Sequence, residues 1–174
     1  MRIVHLAAAA SMALTAPATA HAYRHSIVNT ASAAAAACPA FEIGAASEQL
    51  WGSEIVSEPA VFDVIAGGDI DLGECAQLPG FGYVVAEPDF TLSLRGLDAL
   101  AVEFYVTGDC DTVLLVNAAD GSWHYSDDFE DGFDPLVEIA DAPSGQYDIW
   151  VGTYDQDACE ATLFVGAYDP LLVS

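Results

Sequence analysis

The 174-residue sequence contains no lysine and only three arginines, at positions 2, 24 and 95. Against 27 Asp and Glu, this leaves a formal charge of −24. From Gly96 to the end there are 17 acids and no fixed cation. Such a surface repels phosphate backbones and anionic lipid headgroups, so nucleic acid is excluded as a partner and a membrane surface is a poor one. Divalent cations and basic partners suit it better. The alternative reading of the charge is adaptation to salt, in which acids only keep the chain soluble and their repulsion is screened.

Other absences narrow the chemistry. No CxxC pair occurs, which removes a zinc or redox motif. No GxSxG occurs, which removes a nucleophile elbow. No stretch beyond the first residues shows a sustained 3.6 period, and no repeat has a fixed period. After residue 22 no run reaches the roughly 18 apolar residues of a membrane span, so no transmembrane segment is expected in the mature chain.

The first residues read as an export signal. Arg2 precedes the apolar run IVHLAAAASMALTA, and Ala20-His21-Ala22 fits a small-x-small cleavage site. Residues 1–22 are then removed, and an uncleaved anchor is the alternative. The mature 152 residues (174 minus 22) carry two arginines against 27 acids, or −25. That length suits one domain with a real core. The expected location is exported, periplasmic or extracellular. Residues 23–50, which include ASAAAAA, read as an Ala-rich linker, and residues 51–169 as the folded domain.

All four cysteines, Cys38, Cys75, Cys110 and Cys159, fall after the signal. An even count in an exported chain implies two disulfides, with three possible pairings. Cys110 and Cys159 each sit just ahead of an apolar strand, in GDCDTVLLV and DACEATLFV, which favours joining them and leaves Cys38 with Cys75. A lipid anchor at Cys38 is disfavoured, because polar YRHSIVNT separates AAAC from the apolar run.

The domain reads as all-β. PAVFDVIAGG puts Val61, Asp63 and Ile65 on one side and Phe62 and Val64 on the other. DFTLSLRGL, LAVEFYV, DTVLLVN, PLVEIAD, QYDIWVGTY and ATLFVGAY follow, bounded by turns such as LPGFG, ADG, EDG and YDQD. Short alternating strands at close spacing predict a single antiparallel β-sandwich, of jelly-roll-like or Greek-key type.

The second half carries an ordered set of parts. Asp111 opens an apolar strand; Asp120-Gly121 forms a turn; Asp127-Asp128 forms a pair; Leu136 to Ile139 is apolar; Gly145-Gln146-Tyr147 steps into a strand reaching Val151. In this order residues 109 to 166 resemble the bacterial pre-peptidase C-terminal (PPC) domain. The resemblance implies a secreted β-sandwich that accompanies other domains or stands alone. It implies no peptidase activity, which in that family belongs to a separate domain. The chain departs from the pattern at Ser126, where the family usually has Asn before the acid pair.

Two sets of candidate site residues follow. Asp109, Asp111, Asp127, Asp128 and Asp131 are the candidate metal ligands, with Ca2+ as the expected ion, because clustered carboxylates and loop carbonyls supply the oxygens it needs. An EF-hand starting at Asp127 is rejected, since its third position is Phe129. The competing structural role for the acids is a capped turn or a solvated run. Trp123, Trp150 and Tyr154 are the candidate ligand-binding aromatics, a platform for a polypeptide or polysaccharide if they face outward together. The competing role is core packing.

The leading expectation is an exported non-catalytic binding or accessory module, calcium-stabilised. Its rivals are a small secreted hydrolase using His124 and Ser126, and a structural cell-envelope protein whose acidity serves solubility. No catalytic residue is assigned.

Overall fold

The computed structural model describes residues 38–41, 47–130 and 132–172. The export signal, residues 23–37 of the linker and Asp131 lie outside the described residues. Among the described residues no helix is long and apolar enough to cross a membrane.

Two sheets enclose the core. The first contains β1 (Glu48–Trp51), β3 (Ile70–Asp71), β4 (Tyr83–Val84), β5 (Phe90–Arg95), β7 (Thr112–Asn117), β8 (Trp123–Ser126) and β10 (Gly145–Thr153). The second runs in the order β2 (Ala60–Ala66), β11 (Cys159–Tyr168), β6 (Ala101–Gly108) and β9 (Leu136–Ile139). Every pairing is antiparallel except that of β1 with β5. The first strand begins at Glu48, inside the stretch read as linker, because Leu50 pairs with Leu94 and packs on the core.

Strand period explains the packing. In β2, Phe62 and Val64 turn inward while Val61, Asp63 and Ile65 are exposed, the alternation read from the sequence. Val102, Phe104 and Val106 of β6 and Leu163 and Val165 of β11 meet Leu92, Leu94, Tyr147, Ile149 and Val151 from the first sheet. Phe62 packs on Phe90 with ring centroids 5.2 Å apart, and Phe104 on Tyr147 at 5.7 Å.

The other face of the first sheet is also covered. Val113 and Leu115 of β7 and Trp150 of β10 form a second apolar cluster with Ile70, Leu72, Cys75 and Val84, and Trp123 and Tyr125 pack against it. This is why TVLLVN is buried along its whole length rather than alternately. β4 comes close enough to β10 that a Cβ on Gly152 would lie 2.4 Å from the Tyr83 carbonyl oxygen, so only glycine fits there. Disulfides Cys38–Cys75 and Cys110–Cys159 join the expected partners.

One side of β10 has a gap in its strand pairing. β5 pairs with it as far as Ile149, and β4 pairs at Thr153. Between them, the Val151 N–H donates to Asp89 Oδ2 at 2.8 Å, and the Gly67 N–H donates to the Val151 carbonyl at 3.1 Å. A carboxylate thus substitutes for a missing strand. Burial pushes Asp89 from the ordinary 3.8 up to about 6, against the opposing Val151 hydrogen bond. The folded form therefore holds this proton more tightly than the unfolded chain, so the Asp89 contribution to stability falls as pH rises from about 4 to about 6 and is flat above. The expected result for Asp89→Asn, which keeps the acceptor, is ~1–2 kcal/mol more stability at neutral pH after solvent screening. The gain should vanish near pH 4. Urea midpoints of both proteins across this range measure it, and a pH-independent difference would show that Asp89 is not the group titrating.

Candidate functional site at the loop end of the sandwich

Three connections meet where β6 turns into β7. They are the turn at 109–111, the β8–β9 loop at 127–135 and the β10–β11 loop at 154–158. The Tyr154 N–H donates to the Asp111 carbonyl at 3.0 Å, and the Thr112 N–H to the Phe133 carbonyl at 3.3 Å. The Gly108 N–H donates to Asp134 Oδ1 at 3.2 Å. The Cys110–Cys159 bond ties the turn to the start of β11.

Asp111 stands at the centre of this end. Its Oδ1 is buried and has no hydrogen-bond partner. Burial raises its carboxyl pKa, and the charges of Asp128, Asp127 and Asp155 raise it further. These neighbours are held by their loops: the Ser126 hydroxyl donates to the Asp128 carbonyl at 3.1 Å, and the Thr153 hydroxyl to the Asp155 carbonyl at 2.6 Å. Like charges so placed oppose one another, and a bound dication removes that cost. Among the described residues, no group of three or more Asp, Glu, His or Cys stands close enough together to hold a metal ion.

The sequence-derived metal set is thus divided. The charges of Asp127 and Asp128 act on Asp111. Asp109 instead lines a groove with Asp63 and Glu160 on the outer face of the second sheet. Asp131 lies outside the described residues. Asp155, missed by the sequence reading, joins the group; the acidic turn YDQD after β10 was its only signal.

The aromatic candidates also separate. Trp150 is on the face opposite Tyr147, as its parity implied, but it is 0% exposed beneath the second apolar cluster. It stacks on Trp123 with centroids 5.4 Å apart, so the pair packs together rather than forming an exposed platform. Tyr154 is 48% exposed beside Asp111.

His124 is not joined to Ser126. Its Nε2 lies 2.9 Å from Ser122 Oγ, and that hydroxyl donates to Asp120 Oδ1 at 2.6 Å. That hydroxyl bond, with a second from the Ser122 N–H at 2.9 Å, holds the Asp120 carboxyl below its ordinary range. The serine therefore lies between acid and imidazole, whereas a nucleophilic triad needs the imidazole between acid and serine.

No family model matches the chain, and no curated protein matches it. Among solved structures it is similar to the pre-peptidase C-terminal domain of a collagenase from Bacillus anthracis. The likeness covers 73% of this chain and 100% of that one, at 9% identity and a TM-score of 0.41. The neighbour is of the kind that residues 109 to 166 resemble in sequence; the β-sandwich assignment itself rests on the two sheets and their shared core.

Proposed function

We propose that the chain is an exported, non-catalytic accessory β-sandwich module whose loop end is stabilised by calcium and whose surface binds a polypeptide. The observation that carries the calcium reading is the buried, unpartnered Oδ1 of Asp111 amid three further carboxylates. The donor chemistry fits a hard cation: the groups are oxygens, and Ca2+ takes six to eight of them. Asp111, Asp127, Asp128 and Asp155 would hold it, with loop carbonyls completing the shell. Among the described residues no group of three could hold an ion as the loops stand, so calcium would have to draw the carboxylates together. Two disulfides, and first residues that read as an export signal, support maturation in an oxidising compartment.

Thermal unfolding tests this. At calcium about 100 times Kd, stability should rise by roughly 2.7 kcal/mol over a chelated sample at matched ionic strength. For a domain of this size that is about 5–10 °C. Asp128→Asn should melt higher than the parent in chelator, because a repelling charge is gone, and should lose most of the calcium shift. Equal midpoints in calcium and in matched sodium would leave the acids with a solubility role only.

A further inference from the structure

The outer face of an antiparallel sheet ordinarily alternates toward polar residues. The second sheet departs from that. Its register aligns Val61, Phe164, Tyr105 and Leu136, one from each strand, in a single row. Val61 is 56% exposed, and the Tyr105 and Phe164 rings lie side by side with centroids 6.2 Å apart. A groove of about 800 Å³ runs over Tyr105, Phe164 and Leu136, walled by Pro59, Glu103 and Asp134. A second groove of about 710 Å³ shares Thr107 with it and continues past Asp63, Ile65 and Glu160.

Acids flank the apolar row on both sides. Glu103 faces Glu138 across β6 and β9, and like charges so opposed destabilise a strand pair. Asp63 borders the row on the other side, opposite Thr162. Asp134 lies near the Tyr105 hydroxyl, and Glu138 near that of Tyr168. Nothing nearby neutralises them. The chain has no lysine, and Arg95, the one arginine among the described residues, belongs to β5 of the other sheet. Among the described residues, none supplies a complementary cation to this face.

We propose that this groove binds an extended polypeptide segment bearing arginine side chains. A guanidinium stacks flat on an aromatic ring while its fork of N–H donors meets a carboxylate, and Tyr105 and Phe164 between acids offer both. The apolar row takes the aliphatic side chains between the arginines. Four strands span about 14 Å, room for about four or five extended residues. A neutral sugar would leave the Glu103 and Glu138 pair unneutralised, and a second copy of this chain would bring another −24. The inference rests on the binding-module reading but uses carboxylates other than the calcium candidates.

Calorimetric titration of the full chain with a capped hexapeptide alternating arginine and valine tests it. The control ligands are the same peptide with citrulline for arginine and a neutral glucose hexasaccharide. We expect the arginine peptide to bind and the other two not to. Glu103→Gln with Glu138→Gln should weaken binding at least tenfold, and Tyr105→Ser should do so alone. Glu74→Gln with Glu87→Gln removes two exposed charges outside the groove and should change affinity less than twofold. Absence of binding, equal loss from both double variants, indifference to Tyr105→Ser, or binding of the hexasaccharide would each overturn the proposal. Unfolding curves establish that each variant is folded. Each titration is run with calcium and with chelator: peptide binding without a calcium shift in melting sinks the calcium reading alone, and the converse sinks this one alone.

Discussion

Replacing Cys110 and Cys159 together by serine is expected to lower unfolding free energy by about 4 kcal/mol. The bond closes a loop of 49 residues, and the chain-entropy relation for that length gives a loss of this size. The position makes the effect more than entropic bookkeeping. The bond holds the turn that carries Asp111 against the first residue of β11, beside Asp155 in the preceding loop. Without it, the carboxylates separate more readily, so the calcium shift in melting should shrink as well. Breaking Cys38–Cys75, which closes 37 residues, should cost a similar amount by loop length. That bond anchors the second apolar cluster, so the calcium shift should survive. Urea unfolding in calcium and in chelator separates the two bonds. An equal loss of calcium response from both would mean that the loop end depends on global stability and not on the local tie.

Trp150→Ala is the second substitution expected to be severe, at about 3–5 kcal/mol. The ring is wholly buried and stacked on Trp123, between the covering residues Leu72 and Val84 and the strand neighbours Val113 and Leu115. Its removal leaves a void that β3 and β4, each two residues long, cannot close. Trp150→Phe should cost much less, on the order of 1–2 kcal/mol. The indole Nε1 is buried without a hydrogen-bond partner, and losing an unpaired N–H offsets part of the lost packing. Similar losses for Ala and Phe would indicate that the N–H is satisfied after all, for instance by water. Had Trp150 been the exposed binding aromatic of the sequence reading, both substitutions would have left stability almost unchanged. The comparison thus separates a core role from a ligand role without any ligand in hand.

Much of this architecture was legible along the chain. The alternation in PAVFDVIAGG and LAVEFYV reported which side chains of β2 and β6 face the core, because a strand has a period of two wherever one side is buried. The acidic turns marked the loops, and the positions of Cys110 and Cys159 ahead of apolar strands marked their pairing, leaving Cys38 with Cys75. The parity of QYDIWVGTY put Trp150 on the face away from Tyr147, and there it stands. What parity does not report is what lies over that face. The covering residues, Ile70, Leu72, Cys75 and Val84, come from short segments with no period of their own, far along the chain from Trp150. Likewise Asp155 joins Asp111 only because the β10–β11 loop returns beside the β6–β7 turn. The row Val61, Phe164, Tyr105, Leu136 depends on the register of four strands drawn from four separate stretches of chain. The β class, the charge and the inward face of each strand are local properties, set by spacing and composition, and the sequence alone determined them. Which aromatics are covered, which carboxylates meet and which outward residues line up are properties of strand register and loop return, and only the tertiary structure decided them.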